Sequence, residues 1–338
     1  MKKKILVTGG LGFIGSHTVV CLHEAGYEPI IIDNLSNSLM SAMDGILSLI
    51  GYKPTFINAD VNDKIALSNL IESHKPEAII HFAAFKAVGE SVEKPLMYYQ
   101  NNLGGLISVL EVMQQHNLSN LVFSSSCTVY GEPNIVPISE STTTKPAQSP
   151  YGATKQMGEI ILNDNSTWCN TQCLRYFNPI GAHPTAALGE LPLGIPNNLI
   201  PYLTQTAAGI RKELTVFGSD YDTSDGTCIR DYIHVMDLAD AHVKAVERLL
   251  NQQQLESFEV FNIGTGKGFS VLEVIHSFEK ENKITVPHKI GPRRPGDVVK
   301  VWADTSKVEN VLGWKAKRGL DEMMRDAWNW QLKLNQNT

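Results

Sequence analysis

The sequence predicts an α/β protein built on a doubly wound parallel sheet, followed by a smaller α/β domain. Three observations carry that expectation. Apolar runs of strand length alternate with stretches of helical period, and small residues stand where several strands end. The first strand, Lys4 to Thr8, runs into glycines at 9, 12 and 15, then a helix, then a second strand closing in Asp33. The length of 338 residues suits one large or two ordinary domains. With 43% hydrophobic and 19% charged residues, the composition is that of a globular protein. Twenty-nine basic against 35 acidic residues leave a net charge of −6 with no basic run, which argues against nucleic acid as a partner.

The first βαβ unit assigns a use to each of its parts. The glycines allow a tight turn, close approach of backbone to a pyrophosphate, and packing of helix on strand, while the helix N-terminus faces the anion. The helix is expected from Ser16 to Ala25, ending at Gly26, and Ile30-Ile31-Ile32 leads into Asp33. Asp33 follows Gly15 by 18 residues. An acid there accepts hydrogen bonds from adenosine ribose hydroxyls and repels a 2′-phosphate, so NAD is favoured over NADP.

The alternation continues. Thr55 to Asn58 reads as a strand closing at Asp60, which is placed to meet an adenine, and a helix is expected near 63–74. Ala78 to Phe82 forms a further strand running into Ala83-Ala84-Phe85-Lys86, and a single helix is expected over about 94–116. Ala83 allows close approach of a cofactor, and His81 is read as a strand-end histidine satisfied by its neighbours. Leu121 to Ser126 is the next strand, and its last hydroxyl lies where ligands bind in an open parallel sheet.

Ser149-Pro150-Tyr151-Gly152-Ala153-Thr154-Lys155, whose Tyr151 follows Ser126 by 25 residues, opens a helix with a phenol and an ammonium four residues apart, on one helix face. A free phenol titrates near pH 10, and lowering it to about 7 takes roughly 4 kcal/mol of preferential stabilisation of the phenolate. Lys155 is positioned to supply part of that. Ser126 can donate to and accept from a hydroxyl that Tyr151 deprotonates.

Thr171 to Phe177 reads as another buried strand, after which residues 179–201 hold five prolines and little periodicity. That shift marks a boundary into a substrate-binding region, with a helix near 198–209 and a strand from Leu214 to Phe217. Arg230 to Val235 and the helix from Asp237 to Leu250 are expected to return to the main sheet, as is Phe258 to Asn262. The resulting division assigns 1–178 plus about 229–264 to a Rossmann domain, and about 179–228 plus 265–338 to the smaller domain. Arg293-Arg294-Pro295-Gly296-Asp297 reads as a loop.

Five cysteines, at 21, 127, 169, 173 and 228, form no C-x-x-C pair and point to free thiols in a reducing compartment. His234 and His242 lie eight apart with no cysteine nearby, so no metal site is assigned. The apolar run behind Met1-Lys2-Lys3-Lys4 is too short for a signal peptide, and no stretch reaches membrane-spanning length. A cytoplasmic location is expected.

Taken together, Gly9, Gly12, Gly15, Asp33, Ser126, Tyr151 and Lys155 resemble the extended short-chain dehydrogenase/reductase superfamily. Five further stretches narrow the resemblance to its UDP-glucose 4-epimerase family, over essentially the whole chain. These are Lys86 to Ser91, Arg175 to Pro179, Ile195 to Leu199, Arg230 to Val235, and Arg294 with Asp297. The resemblance implies an NAD-dependent isomerase that inverts C4 between UDP-glucose and UDP-galactose through a transient 4-keto sugar. It implies Tyr151 as base, Lys155 as its tuner and Ser126 as the group that orients the hydroxyl.

By position it implies that Phe13, Ile14, Asn34, Asn37, Ser38, Val61, Phe82, Ala84, Asn101, Ser124 and Tyr176 join the glycines, Asp33, Asp60, Ala83 and Lys86 around the dinucleotide. Phe177, Asn178, Asn198, Leu199, Arg230 and Arg294 are implied around the sugar and diphosphate, with Lys86 shared between cofactor and sugar. Phe217 is implied beside the uracil and Asp297 on the uridine ribose. Forked arginine donors suit phosphate oxygens.

Related sugar-nucleotide dehydratases resemble Thr-Asp-Glu before Val-Tyr-Gly, where this chain has Ser126-Cys127-Thr128, and a decarboxylase-like enzyme carries Glu at the Thr128 position. The missing acids favour epimerisation. Cys127 is read as small packing. Val301, before Trp302-Ala303-Asp304, replaces a bulky tyrosine found in epimerases restricted to unmodified hexoses, which implies room for UDP-N-acetylhexosamines. The family also implies a homodimer seamed by helices near 94–116 and 151–166. A scaffold that kept the fold and lost turnover is the contrasting reading; it would be expected to have lost Ser126, Tyr151 or Lys155.

Overall fold

Lys4–Thr8 (β1) and Ala78–His81 (β4) lie side by side at the centre of a seven-stranded sheet, and the chain winds outward from them in both directions. The computed structural model describes residues 2–294 and 297–336, so Pro295 and Gly296 of the expected arginine loop lie outside the described residues. The first half of the sheet and its helices are β1, Phe13–Glu24 (α1), Glu28–Asp33 (β2), Ser41–Ile50 (α2), Thr55–Asn58 (β3), Lys64–His74 (α3) and β4. Val88–Glu93 (α4), Pro95–Tyr98 (α5) and Gly104–Gln115 (α6) lead to Asn120–Ser126 (β5), Pro150–Asp164 (α7) and Asn170–Tyr176 (β6).

Asn178–Ile180 (β7), Leu199–Ala207 (α8), Leu214–Phe217 (β8) and Ile229–His234 (β9) leave the main sheet, and Val235–Leu250 (α9) and Phe258–Ile263 (β10) return to it. The remainder is Gly268–Ser270 (β11), Val271–Asn282 (α10), His288–Gly291 (β12), Lys300–Val301 (β13) and Leu320–Gln336 (α11).

The main sheet runs β10-β6-β5-β4-β1-β2-β3, parallel throughout, so its strand order reverses between β1 and β4. A crevice opens at such a reversal, beyond the carboxyl ends of the strands. Both faces are covered, which explains why the strands read as continuous apolar runs. Ile5, Val7, Ile31 and Ile80 face α1, α2 and α9, while Leu6, Ile30, Ile32 and Ile79 face α3, α6 and α7. A separate core joins α8, β8, α10 and α11 through Ile200, Val216, Phe278 and Met324.

Two expectations need correction. The helix expected from Ser16 begins at Phe13, because Gly12 is extended (φ −71°, ψ 173°) and Gly15 already belongs to the first turns. The helix expected over about 94–116 forms from Pro95 to Gln115, with a π-helical turn over Tyr99–Leu103 joining α5 to α6. The strand of Arg230 to His234 does not rejoin the main sheet. After β6 only Phe177 intervenes before β7, which pairs with β9, and β9 pairs further with β11 and β13 in a second sheet. Asp231 anchors it there by accepting from Thr265 N, Thr265 Oγ1, Gly266 N and Ala303 N.

Local signals agree with the helix starts. Ser149 accepts from Gly152 N ahead of Pro150, Asp63 accepts from Ile65 N and Ala66 N, and Ser270 with Glu273 forms a capping box. Among the described residues no helix is long and apolar enough to cross a membrane.

Candidate functional site

The turn after β1 is held to the end of β4. Thr8 Oγ1 meets His81 Nδ1 at 2.9 Å and accepts from Ala83 N at 3.2 Å, so His81 is a satisfied histidine; burial pushes it down to about 3. Gly9 has φ +67°, and a Cβ there would sit 2.9 Å from Ala83 N. At Gly15 a Cβ would collide with the Gly9 carbonyl oxygen. Gly12 gives α1 no side-chain cap, and its first turn holds no acid. The amide donors and dipole there suit an anion.

Asp33 is buried and accepts from Leu11 N at 3.0 Å, Leu35 N at 2.9 Å and Ser38 Oγ at 2.8 Å. A carboxylate has about four acceptor positions, so one remains for a ribose hydroxyl. Ser38 is thus brought to Asp33, while Asn37 is exposed on the same loop. Asp60 accepts from Asn34 Nδ2 at 2.7 Å and from Asn62; burial would raise its carboxyl, but these bonds hold it below the ordinary value. Buried Val61 and half-buried Phe82, Ala83 and Ala84 line the same end of the sheet. These glycines, the uncapped helix and the acid with a spare acceptor position fit a dinucleotide.

Ser124, Ser125 and Ser126 close β5, and α7 lies against them. Lys155 is buried and donates to the Ser124 carbonyl at 2.5 Å, with Nζ 5.0 Å from the Phe123 ring centroid and 5.8 Å from that of Tyr151. Burial pushes its ammonium down to about 8, against an opposing pull from Glu159. Half-buried Tyr151 stands beside Ser126, whose Oγ accepts from Thr128 N at 3.2 Å.

Burial pushes the Tyr151 phenol up to about 12, and the neighbouring Ser126 hydroxyl offsets only part of that. The Lys155 ammonium, which would favour the phenolate, donates to the Ser124 carbonyl in the same buried pocket. Burial also pushes the Cys127 thiol up to about 12, and it packs at the edge of an apolar cluster, as its packing role requires.

Tyr176 Oη meets His242 Nε2 at 2.6 Å at the end of β6. Phe177 and Val301 share one buried cluster with Val129, Tyr130, Ile138 and Ala303. Val301 stands opposite Arg230 in the β13–β9 register, and Asn178 stands opposite Tyr232. Asp297 Oδ1 accepts from Arg294 at 2.7 Å and lies 3.6 Å from Arg230 Nη2, bringing three expected substrate residues together. The Phe217 ring is 43% exposed, which rules out a core role, and the Arg294 guanidinium lies 5.9 Å from its centroid. A flat exposed ring with a cation beside it suits a base. Asn101 donates to Asn102 at 2.9 Å within the π turn.

Two acids were not singled out by sequence. Glu190 Oε1 accepts from Lys86 Nζ at 3.0 Å and Asn198 Nδ2 at 2.8 Å, joining two expected ligand contacts at the start of α8, where Leu199 is half-buried. No local pattern marks it, because its partners lie 104 and eight residues away. Glu159 bonds Arg175 and Ser125, and its spacing of four from Lys155 on α7 was a readable signal. Among the described residues no group of histidine, cysteine or acidic side chains could hold a metal ion.

The family model described as GDP-mannose 4,6 dehydratase matches residues 6–327. UDP-glucose 4-epimerase 2 of Arabidopsis thaliana is 51% identical over 337 residues, spanning 98% of this chain and 95% of that protein. A crystal structure of UDP-glucose 4-epimerase from Stenotrophomonas maltophila, with bound NAD and formylated UDP-arabinopyranose, is similar with TM-score 0.96 at 45% identity, covering 99% and 100% of the two chains. A UDP-glucose 4-epimerase from Bifidobacterium longum, in complex with NAD+ and UDP, gives TM-score 0.94 at 44% identity, with coverage of 99% and 100%.

Proposed function

The chain belongs to the UDP-glucose 4-epimerase family within the extended short-chain dehydrogenase/reductase superfamily, and from that premise we propose that it interconverts UDP-glucose and UDP-galactose as an NAD-dependent isomerase. The observation that carries the reading is the meeting of Tyr151 with Ser126 at the end of β5, with Lys155 beneath and no acid at Cys127 or Thr128. The bound dinucleotide supplies reversible oxidation at C4.

Tyr151 takes the 4-hydroxyl proton while Ser126 orients that hydroxyl. Lys155 would hold the nicotinamide ribose and adds positive charge. The 4-keto sugar turns over in the pocket, and Tyr151 returns the proton. A 4,6-dehydration needs an additional acid and base to expel water; positions 127 and 128 offer a thiol held neutral and a hydroxyl. Arg230 and Arg294 would take the diphosphate, Phe217 the uracil and Asp297 the uridine ribose. Asn178, Asn198, Leu199, Phe177 and Lys86 would surround the sugar. Incubation with UDP-galactose tests the reading through formation of UDP-glucose; absence of conversion by folded, NAD-loaded protein would favour the scaffold reading.

Two finer readings accompany it. Val301 stands where epimerases restricted to unmodified hexoses carry a bulky tyrosine, so UDP-N-acetylglucosamine is epimerised as well; lack of turnover of that substrate would reject this. The helices α5, α6 and α7 form the seam of a homodimer, supported by exposed Leu96 (80%), Ile107 (41%) and Ile160 (60%). We assign dinucleotide binding to residues 1–178 with α9 and β10, and UDP-sugar binding to the rest, with β9 on the sugar side. The five free cysteines support a reducing, cytoplasmic setting.

A further inference from the structure

Beneath the reacting groups lies a buried ionic network that the chemistry above leaves unused. Glu159 sits one helical turn beyond Lys155 on α7. Its Oε1 accepts from Ser125 Oγ at 2.5 Å and Arg175 Nε at 2.9 Å, and its Oε2 from Arg175 Nη2 at 2.5 Å. Arg175 Nη1 donates to Tyr130 Oη at 2.9 Å, and Tyr130 Oη donates to Asn262 Oδ1 at 2.7 Å. All of these side chains are buried.

The three consecutive serines divide their work between two sides of β5. The Ser124 carbonyl holds Lys155, the Ser125 hydroxyl turns to Glu159, and the Ser126 hydroxyl meets Tyr151. The network therefore anchors the chain on both sides of Ser126: at Ser125 through Glu159, and at Tyr130 through Arg175. Both anchors converge on one ion pair that joins α7 to β6. Burying two charges is costly unless they are paired and fully hydrogen-bonded, as they are here. An ion pair of that kind fixes geometry more than it adds stability.

We propose that Glu159, clamped by Arg175, is a positioning residue for the epimerisation: by drawing Ser125 onto α7 it sets the spacing between the carbonyl that aims Lys155 and the hydroxyl that aims Tyr151. This rests on the reading of Tyr151 and Lys155 as the reacting pair. The neighbours that bear on titration are few. Around Lys155 they are Glu159 on its own helix, Cys173 and Arg175 on β6, and His81 on β4. Around Tyr151 they are Lys155 on its own helix, Tyr98 on α5, Cys127 beyond β5, and Tyr176 on β6. The cysteines, the other tyrosines and His81 are held neutral by burial, so Lys155 itself, Glu159 and Arg175 supply the charge.

The test compares wild type, Ser125→Ala, Glu159→Gln and Tyr151→Phe, with kcat and KM for UDP-galactose measured across pH, bound NAD quantified and thermal unfolding recorded. Ser125→Ala leaves the Glu159–Arg175 pair complete, so it should fold and hold NAD. Its kcat should fall at least about tenfold with KM little changed, since misplacement of reacting groups acts on the chemical step. The acid limb of its kcat profile should move to higher pH, because a less well aimed Lys155 stabilises the phenolate less. Glu159→Gln should move kcat in the same direction. A Ser125→Ala enzyme with wild-type kcat and an unmoved limb, beside an inactive Tyr151→Phe, overturns this inference alone. An active Tyr151→Phe overturns the underlying reading and this inference with it. A loss of kcat that only tracks thermal stability, with no movement of the limb, also overturns the positioning role.

Discussion

Replacing Lys155 with Met removes the one buried ammonium seen beside the phenol among the described residues and keeps a side chain of similar length. Burial pushes Tyr151 up to about 12, so a phenolate at pH near 8 needs about 5 kcal/mol of compensation. Lys155 Nζ lies 5.8 Å from the ring centroid, and a unit charge at that distance in an effective dielectric constant of about 20 contributes about 3 kcal/mol, or about two pKa units. The positive nicotinamide ring of a bound dinucleotide would favour the phenolate in the same sense. Lys155 titrates at about 8, so the contribution is fully present only below that pH.

A cation favours deprotonation of the phenol, so its removal raises the phenol pKa and moves the acid limb of kcat toward higher pH. Lys155→Met should therefore lose about 100-fold in kcat near pH 7 and recover part of it as pH rises. The assay is conversion of UDP-galactose over pH about 6 to 10, with NAD content measured on each sample so that lost cofactor is not read as lost chemistry. An acid limb in the wild-type position, with NAD retained, would refute the electrostatic reasoning.

Val301→Tyr would place a ring beside Phe177 and opposite Arg230; turnover of UDP-N-acetylglucosamine should fall at least about tenfold while the UDP-glucose reaction is spared. Equal losses on both substrates would contradict the gate. Gly9→Ala has φ +67° and a backbone nitrogen 2.9 Å from the new Cβ, so it should cost at least about 1 kcal/mol and weaken NAD retention, as read by urea unfolding with and without added NAD. An unchanged unfolding midpoint would argue against the close approach of the two turns. Leu96→Arg puts a charge on an exposed apolar patch of α5 and should shift sedimentation from dimer to monomer; a monomeric wild type would dispose of the proposed seam.

Much of the main sheet was legible because its signals are local. The alternation of apolar runs, the glycine spacing and Asp33 give β1, α1 and β2, and Ser149-Pro150 marks the start of α7. The i to i+4 spacing brought Tyr151 and Lys155 to one face. What the sequence hid depends on contacts between distant residues. The affiliation of β9 was misread because a short apolar strand has no local mark of which sheet it joins; Asp231 and the partners β7, β11 and β13 decide it. The π turn before α6 leaves no mark in the sequence because its residues still look helical. Glu190 acquires its meaning only where Lys86 and Asn198 converge. Spacing likewise shows a cation near Tyr151 but not that it is bound to the Ser124 carbonyl in a buried pocket.

The central claim is that Tyr151 moves the proton. Its most direct test is conversion of UDP-galactose by Tyr151→Phe, a change that deletes a single oxygen. The variant should fold, hold NAD and lose nearly all kcat while KM changes little. Full activity in folded, NAD-loaded Tyr151→Phe would contradict the account.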